Sequence, residues 1–472
     1  MKTNTLDFDA QALREKILDL AMRGKLVKQD PNDEPASMLL EKDGLRESKE
    51  KPHEIPKSWS WIVLGSGAKF INGRAYKKSE LLNDSSLTPI LRVGNLFTNS
   101  SYYYSDLKLE SNKYIDNGDL IYAWSASFGP QIWNGGHVIY HYHIWKVLPE
   151  QSIDKQFLYY FLLDKRNVIG ETDLHGSTMK HITKTNMEHL SFPLPPLEEQ
   201  SRIAAKIAQL FALLRKVETS TQQYTKLQTL LKSKVLDLAM RGKLVKQDPN
   251  DEPASVLLEK IKAEKEQLIK EKKIKRSKPL PPITDEEKSF EIPDSWEWVR
   301  LGEITALVTK GTTPKGGKSV YVNKGINYYR AENVAFSGLS KESLNYIPLE
   351  MHEGLLKRSI LKEKDILITI AGTLGRVTYV KKEDLPGNTN QAVSISRPID
   401  SDEIDEKFLT YTLTSLLQQV VKNNKTTSIP NLTLRQIEEI IFPFPPLSEQ
   451  YRISTKLSQL FKFICKNKSS IS

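Results

Sequence analysis

Beyond Pro196 the apolar residues fall at Ile203, Ile207, Leu210, Leu214 and Val217, then resume at Tyr224, Leu227, Leu231, Val235 and Leu238. Steps alternating between three and four put them on one stripe of a helix, the seam of a coiled coil. No proline interrupts the run from Leu197 to Gly242. It predicts a single helix about 65 to 70 Å long, at about 1.5 Å of rise per residue. Residues 219–223, TSTQQ, break the stripe and mark a place for a length adjustment. The pattern restarts at Ile453, Leu457, Leu460 and Ile464, and Leu13, Ile17 and Leu20 repeat the spacing of Leu231, Val235 and Leu238. Residues 1–42 are therefore expected to complete in space what residues 446–472 begin. This two-piece helix would lie antiparallel to the central one, with a pseudo-two-fold axis between the halves.

The hydrophobic pattern recurs because the sequence does. Ile17 to Lys42 and Val235 to Lys260 differ only at Ile17/Val235 and Met38/Val256. HEIPKSWSWIVLG from His53 matches FEIPDSWEWVRLG from Phe290, and FPLPPLEEQSRI from Phe192 matches FPFPPLSEQYRI from Phe442. The repeating unit is far longer than a solenoid repeat, so the chain reads as two domains with matched connectors, circularly permuted. Between the connectors the likeness thins to scattered anchors: LRVGN at Leu91 beside YRAEN at Tyr329, GDLIYAWSASFG at Gly118 beside KDILITIAGTLG at Lys364, and DKQFLYYFL at Asp154 beside DEKFLTYTL at Asp405. Equal connectors suggest equal partners, and unequal domains suggest unequal targets. The fold class expected is α+β, with two globular mixed domains joined by long antiparallel coiled-coil helices. The divisions are 1–52, a helical segment completing the C-terminal helix; 53–195, the first globular domain; 196–289, the central helix and linker; 290–445, the second globular domain; and 446–472, the C-terminal helix.

Composition narrows the class. A length of 472 residues allows two to four domains. The net charge of +10 favours a polyanionic partner, nucleic acid first. A single cysteine, Cys465, excludes a disulfide framework and paired-cysteine zinc sites and suits a reducing compartment, hence the cytoplasm. No stretch is apolar for long enough to span a membrane, and the N-terminus lacks the apolar core of a signal peptide. The segment IKAEKEQLIKEKKIKRSK from Ile261 reads as an exposed helix, and PLPPITDEEKS after it as a stiff tether.

Most signals of catalysis fail on inspection. GTTPKGGKS from Gly311 approaches a phosphate-binding loop, but Gly317, Lys318 and Ser319 would require glycine where Thr312 stands, and Pro314 removes an N–H. A cationic, hydroxyl-rich loop between strands instead suits a DNA groove, and GRAYKKSE from Gly73 occupies the equivalent place in the first domain. LPPL at Leu194 and FPPL at Phe444 lack the polar residue and aromatic of an amino-methyltransferase loop. They are expected to end a strand and start a helix, with Glu198, Glu199 and Glu449 in its first turn. His137, His141 and His143 lie in a strand-like stretch without a second ligand cluster, so packing or base contact is favoured over a metal.

LAMRGKLVKQDPNDEPAS, the I-P-x-S-W-x-W opening of each globular half, GDLI/KDIL, and F-P-x-P-P-L-x-E-Q before each helix together resemble the specificity subunits of type I restriction-modification systems. The resemblance covers nearly the whole chain. It implies two target-recognition domains, each reading one half of a bipartite, asymmetric sequence in double-stranded DNA, with helices fixing the gap. It also implies two methyltransferase subunits docked on the helical repeats, which bring S-adenosylmethionine and methylate adenine N6. Motor-nuclease subunits would bring ATP and Mg. This chain would itself hold no cofactor or metal and be no enzyme.

Candidate DNA contacts in the first domain are Arg74, Tyr76, Lys77, Lys78, Arg92, Asn95, Ser125, Ser127, Lys180 and His181. Those in the second are Lys310, Thr312, Lys315, Lys318, Arg330, Asn333, Thr373, Arg376, Lys425 and Asn431. Arg, Lys and Asn read purine edges, while Ser and Thr mostly hold phosphates. Trp59, Trp61, Trp296 and Trp298 are expected to anchor the first strand of each domain. Competing readings are a self-contained methyltransferase or nuclease and a coiled-coil protein scaffold.

Overall fold

The computed structural model describes residues 9–97, 100–125, 128–169, 182–314, 316–399, 402–423 and 431–466. The central helix runs unbroken from Leu197 to Met240, 44 residues, straight through TSTQQ. The chain nevertheless divides into two compact units inside that motif, between Gln222 and Gln223.

In the first unit, strand Ser60–Val63 pairs antiparallel with Ser191–Leu194. Pro195 and Pro196 follow and cannot donate to a ladder, so the strand stops and the helix begins at Leu197. Between these two strands lie two four-stranded sheets. One has the order Ala68–Asn72, Ile144–Pro149, Leu120–Ala123, Gly129–Ile132, all antiparallel. The other holds a parallel pair, Thr88–Leu91 with Val138–Tyr140. Phe70, Tyr122, Trp145, Phe157 and Phe192 from the domain share one core with Leu18 and Ala21 of helix Ala10–Met22 and with Ile203, Ile207 and Phe211 of the long helix. Domain and helices are thus one folding unit.

The second unit repeats the plan. Glu297–Arg300 pairs with Ile441–Phe444. Strands Thr305–Lys310, Val393–Pro398, Ile366–Thr369 and Val377–Tyr379 form the antiparallel sheet, and Ile326–Tyr329 beside Gly387–Thr389 is the parallel pair. The sparse sequence anchors explain themselves here, because most of them bind backbone. Asp154 and Asp405 cap their helices, accepting from Phe157 N–H at 2.8 Å and Phe408 N–H at 2.7 Å. Asp119 and Asp365 each accept from the N–H three residues earlier, both at 2.8 Å.

The matched connectors form the same clamp twice. Glu199, buried in the first turn of the long helix, accepts from Trp59 Nε1 at 2.9 Å and from Gln29 Nε2 at 2.5 Å. Glu449 accepts from Trp296 Nε1 at 2.9 Å and Gln247 Nε2 at 2.6 Å. Arg202 grips Asp33 with two bonds of 3.0 and 2.5 Å, and Arg452 grips Asp251 with two of 3.1 and 2.5 Å. Gln200 and Gln450 accept from Asp154 N–H and Asp405 N–H, and donate to Pro195 O and Pro445 O. Trp59 and Trp296 therefore anchor the domains, as expected. In the first unit, helix Ala10–Met22 runs antiparallel to the long helix, with Arg14 paired to Glu218. In the second, helix Leu447–Lys466 does so, with Gln228 donating to Ile464 O at 2.7 Å.

Two expectations need correction. The seam is buried only toward the ends of the long helix: Val217, Leu227 and Leu231 are 45, 64 and 50% exposed, while Ile203, Ile207 and Val235 are in the cores. Among the described residues, the helices paired with it, Ala10–Met22 and Leu447–Lys466, span 13 and 20 residues against its 44. The tether is not free either. Helix Ala254–Lys270 buries Ile261 and sends Lys265 Nζ to Gly302 O and Thr305 O, and burial lowers that ammonium's pKa. The carbonyls of Pro279, Pro281 and Pro282 are then held by Arg435 and Arg300, which strap the segment to the second domain.

Burial holds the Glu199 carboxyl above its usual pKa against the opposing pull of its Trp59 and Gln29 donors. A carboxyl whose folded pKa exceeds its unfolded value binds a proton more readily when folded, so its contribution to stability weakens as pH rises through the folded value. Trp59→Phe removes a donor from the ionised form. It is expected to cost about 1–3 kcal/mol and to cost more at pH 8 than at pH 5. Urea unfolding at both values checks this, and a pH-independent loss would mean that only ring volume matters.

Candidate nucleic-acid interface

Each domain carries a loop that leaves the antiparallel sheet through a glycine. After Asn72, Gly73 N–H donates to Ile144 O at 3.2 Å, Arg74 N–H to Tyr140 O at 3.0 Å, and Tyr142 N–H returns to Arg74 O at 3.1 Å. A Cβ on Gly73 would lie 2.2 Å from Tyr140 O, so only glycine passes. In the second domain Gly311 N–H donates to Val393 O and Thr312 N–H to Thr389 O, both at 3.1 Å. A Cβ on Gly311 would lie 2.1 Å from Thr389 O. The two loops thus occupy equivalent places.

On the first loop Arg74 pairs with Glu80 at 2.7 Å and lies 5.5 Å from the Tyr76 ring centroid. Tyr76 donates to Tyr140 O at 3.3 Å, and burial pushes its phenol pKa up. Lys77 and Lys78 are exposed. The backbone N–H of Lys77, and next Arg74, hold the Glu80 carboxyl below its usual range. On the second loop Lys310 is exposed at the end of its strand, and the Thr312 hydroxyl accepts from Arg358 Nε at 3.2 Å. Thr373 and Arg376 are exposed on the turn closed by Arg376 N–H to Thr369 Oγ1 at 2.8 Å, and Asn431 is exposed. Ser125 follows its strand, partly exposed. Ser127, Lys180, His181, Lys315 and Lys425 lie outside the described residues, as does the side chain of Lys318 in the turn Gly317–Val320.

The arginine–asparagine pairs divide differently. Arg92 N–H donates to Asn95 Oδ1 at 3.0 Å, and Arg330 N–H to Asn333 Oδ1 at 2.9 Å. Asn95 also donates to Ser101 O, and Asn333 to Ser340 O and Glu342 O. Asn333 is 1% exposed. These asparagines close turns with their amides, and Asn333 has no surface left for a ligand, contrary to expectation. The Arg92 guanidinium stacks 4.5 Å over Tyr103, and Arg330 pairs with Glu332.

Sequence reasoning missed Trp124 and Tyr142, which join His141 and His143 in a partly exposed aromatic cluster. Tyr142 lies 3.9 Å from His143 and 4.4 Å from His141, ring to ring, and Trp124 lies 5.0 Å from His143. Trp124 Nε1 donates to Tyr142 O at 2.9 Å. The signal was the histidine-rich turn itself, seen without the tryptophan that folds onto it. No group of three His, Cys, Asp or Glu among the described residues could hold a metal ion. His141 is pushed down to about 4, by burial first, then by His143 and Arg92. No helix among the described residues is long and apolar enough to cross a membrane.

Two like-folded α+β domains on duplicated connectors define a repeated recognition module. A profile of the type I restriction modification DNA specificity domain matches residues 56–227 and again 293–471. The chain belongs to that family: it is a DNA specificity subunit of a type I system, the non-catalytic part of such an enzyme. It is 31% identical to the type I restriction enzyme EcoAI specificity subunit of Escherichia coli, over 96% of this chain and 89% of that one. It is 30% identical to the EcoEI specificity subunit of the same species, over 98% and 91%. A solved chain from work on complex assembly and conformational transition of the type I system superposes with a TM-score of 0.56. That match covers 88% of this chain and 93% of the other at 18% identity, a likeness of fold.

A histidine whose folded pKa is depressed leaves the unfolded chain with more bound protons between the two pKa values. Stability from His141 is therefore complete above about pH 6.5 and is lost as pH falls toward about 4. Compared with His141→Gln, the native chain should lose about 1 kcal/mol more between pH 7 and pH 5, a figure reduced for a half-exposed ring. Thermal melts of both proteins at the two values test this, and parallel pH profiles would refute it.

Proposed function

We propose that residues 53–195 and 290–445 each read one half of a bipartite, asymmetric target in double-stranded DNA. The long helix sets the gap between the halves in a pseudo-two-fold frame, and the helical repeats dock two methyltransferase subunits. One observation carries this reading. The clamp of Trp, Glu, Gln, Arg and Asp is reproduced bond for bond in both units, while the loops leaving Gly73 and Gly311 differ in sequence, GRAYKKSE against GTTPKGGKS. Shared connectors suit copies of one partner, and different loops suit different half-sites. The exposed leucines in the middle of the long helix, Leu213, Leu227, Leu230 and Leu231, support docking of another subunit there. S-adenosylmethionine, ATP and Mg belong on this reading to the methyltransferase and motor-nuclease subunits, and the complex works in the cytoplasm.

Among the described residues of the two loops, Lys77, Lys78 and Lys310 are exposed cations and serve as phosphate contacts. Lys310→Ala and Lys77→Ala are each expected to weaken binding to all sequences and to reduce the slope of log affinity against log salt by about one unit. Arg74→Ala should weaken binding more, because it also releases the Glu80 carboxylate beside the DNA. Fluorescence anisotropy of the full chain with its methyltransferase subunit, over a salt series, measures these effects. Binding without salt dependence would contradict the reading, as would a host methylome lacking a split adenine-methylated motif.

A further inference from the structure

The backbone bonds that fix the two loops also align the turns beneath them, residue for residue. Gly73 meets Tyr140 O and His141 O where Gly311 meets Thr389 O and Asn390 O. Gly73 N–H bonds Ile144 O where Gly311 N–H bonds Val393 O. Trp124 N–H bonds His143 O where Ile370 N–H bonds Ala392 O. His141, Tyr142 and His143 therefore stand where Asn390, Gln391 and Ala392 stand. The frame is common, and the chemistry it presents is not.

In the first domain the tip is Tyr142, exposed, beside two imidazoles and with its carbonyl held by Trp124 Nε1. In the second it is Gln391, exposed, its amide oxygen bonded by the Thr313 hydroxyl from the neighbouring loop. That bond orients the amide. Asn390 is partly buried and its Oδ1 accepts from Ala392 N–H at 3.3 Å, which ties it to its own turn, so Gln391 is the exposed residue of the tip. Both tips sit directly against the loops that carry Arg74 with Lys77 and Lys310 with Thr312. Cations that hold phosphates thus flank a side chain suited to base edges. A glutamine amide presents a donor and an acceptor side by side, the pair that matches adenine N7 and N6 in the major groove. A tyrosine between imidazoles presents an apolar face suited to a thymine methyl and a hydroxyl that either donates or accepts.

We propose that Tyr142 and Gln391 are specificity-determining contacts, equivalent positions on a common frame at which the two domains read different bases. This rests on the reading of the domains as DNA half-site readers. The test uses the full chain with its methyltransferase subunit, a pool of randomised duplexes, and sequencing of the bound fraction. Gln391→Ala is expected to erase the preference at one base position of one half-site and to weaken binding to the native target on the order of tenfold, leaving the other half-site intact. Tyr142→Ala is expected to alter the opposite half-site alone. Both side chains are exposed, and the bond at Tyr142 uses its backbone carbonyl, so both variants should melt with the native protein. A native complex that selects a bipartite motif while both variants select the same motif overturns this assignment and leaves the half-site reading standing. A native complex that selects no motif overturns both.

Discussion

The structure depends on how a helix start is fixed to the strand that leads into it. Two prolines end the ladder at Leu194 and at Phe444, and the first helical turn brings a glutamate into the interior. An acidic group near a helix N-terminus is favoured by the free N–H groups there, but burial works against its charge. Trp59 with Gln29, and Trp296 with Gln247, supply neutral donors that make the buried carboxylate tolerable. Those donors come from separate stretches of chain, one in the connector after the amphipathic helix and one at the mouth of the domain. A single carboxylate therefore sets the direction of the helix, the seat of the connector and the entry of the β domain together. The bidentate Arg–Asp pair one turn further along fixes the same connector a second time.

This explains what the sequence makes legible. The clamp needs Trp, Gln, Asp, Glu and Arg at fixed spacing, so the motifs that carry it are nearly identical in the two halves and read plainly. The helix is legible from the absence of proline and from its periodicity. Its burial is not, because periodicity shows which face is apolar but not how much of that face a partner covers. Leu227 and Leu231 keep the seam spacing and still face outward. The proline segment after Lys278 looks like a tether for a related reason: its composition gives its stiffness, but its carbonyls are held by Arg300 and Arg435, which lie far along the chain.

The candidate interface is less legible than the frame. A polar side chain that points outward and one that turns back to cap its own turn look alike in sequence. Asn95 and Asn333 show the difficulty, each three residues after an arginine whose N–H it accepts. The spacing is a local cap signal, and it also marks where an Arg is held stiffly. Tyr142 and Trp124 were hidden for the opposite reason: they are separated in sequence, and only the sheet pairing of Leu120–Ala123 with Ile144–Pro149 brings them together.

The way the turns at 140–144 and 389–393 are built also bears on what can be exchanged there. Their position is set by backbone N–H and carbonyl groups and by the close passage of a glycine. Tyr140 beneath the first, which donates to Ile71 O and Asn112 O, is buried and belongs to the frame. Residues at the tip add little to these bonds, so exchanging them costs little stability, since surface substitutions away from caps and cores usually fall within about 0.5 kcal/mol. The donors of the clamp have no such freedom, because losing Trp59, Gln29 or Arg202, or their counterparts Trp296, Gln247 and Arg452, takes a partner from a buried carboxylate. Two copies built on this plan are therefore free to drift apart at their exposed tips and are held alike where they meet their own helices, and that is the pattern the two halves of this chain display.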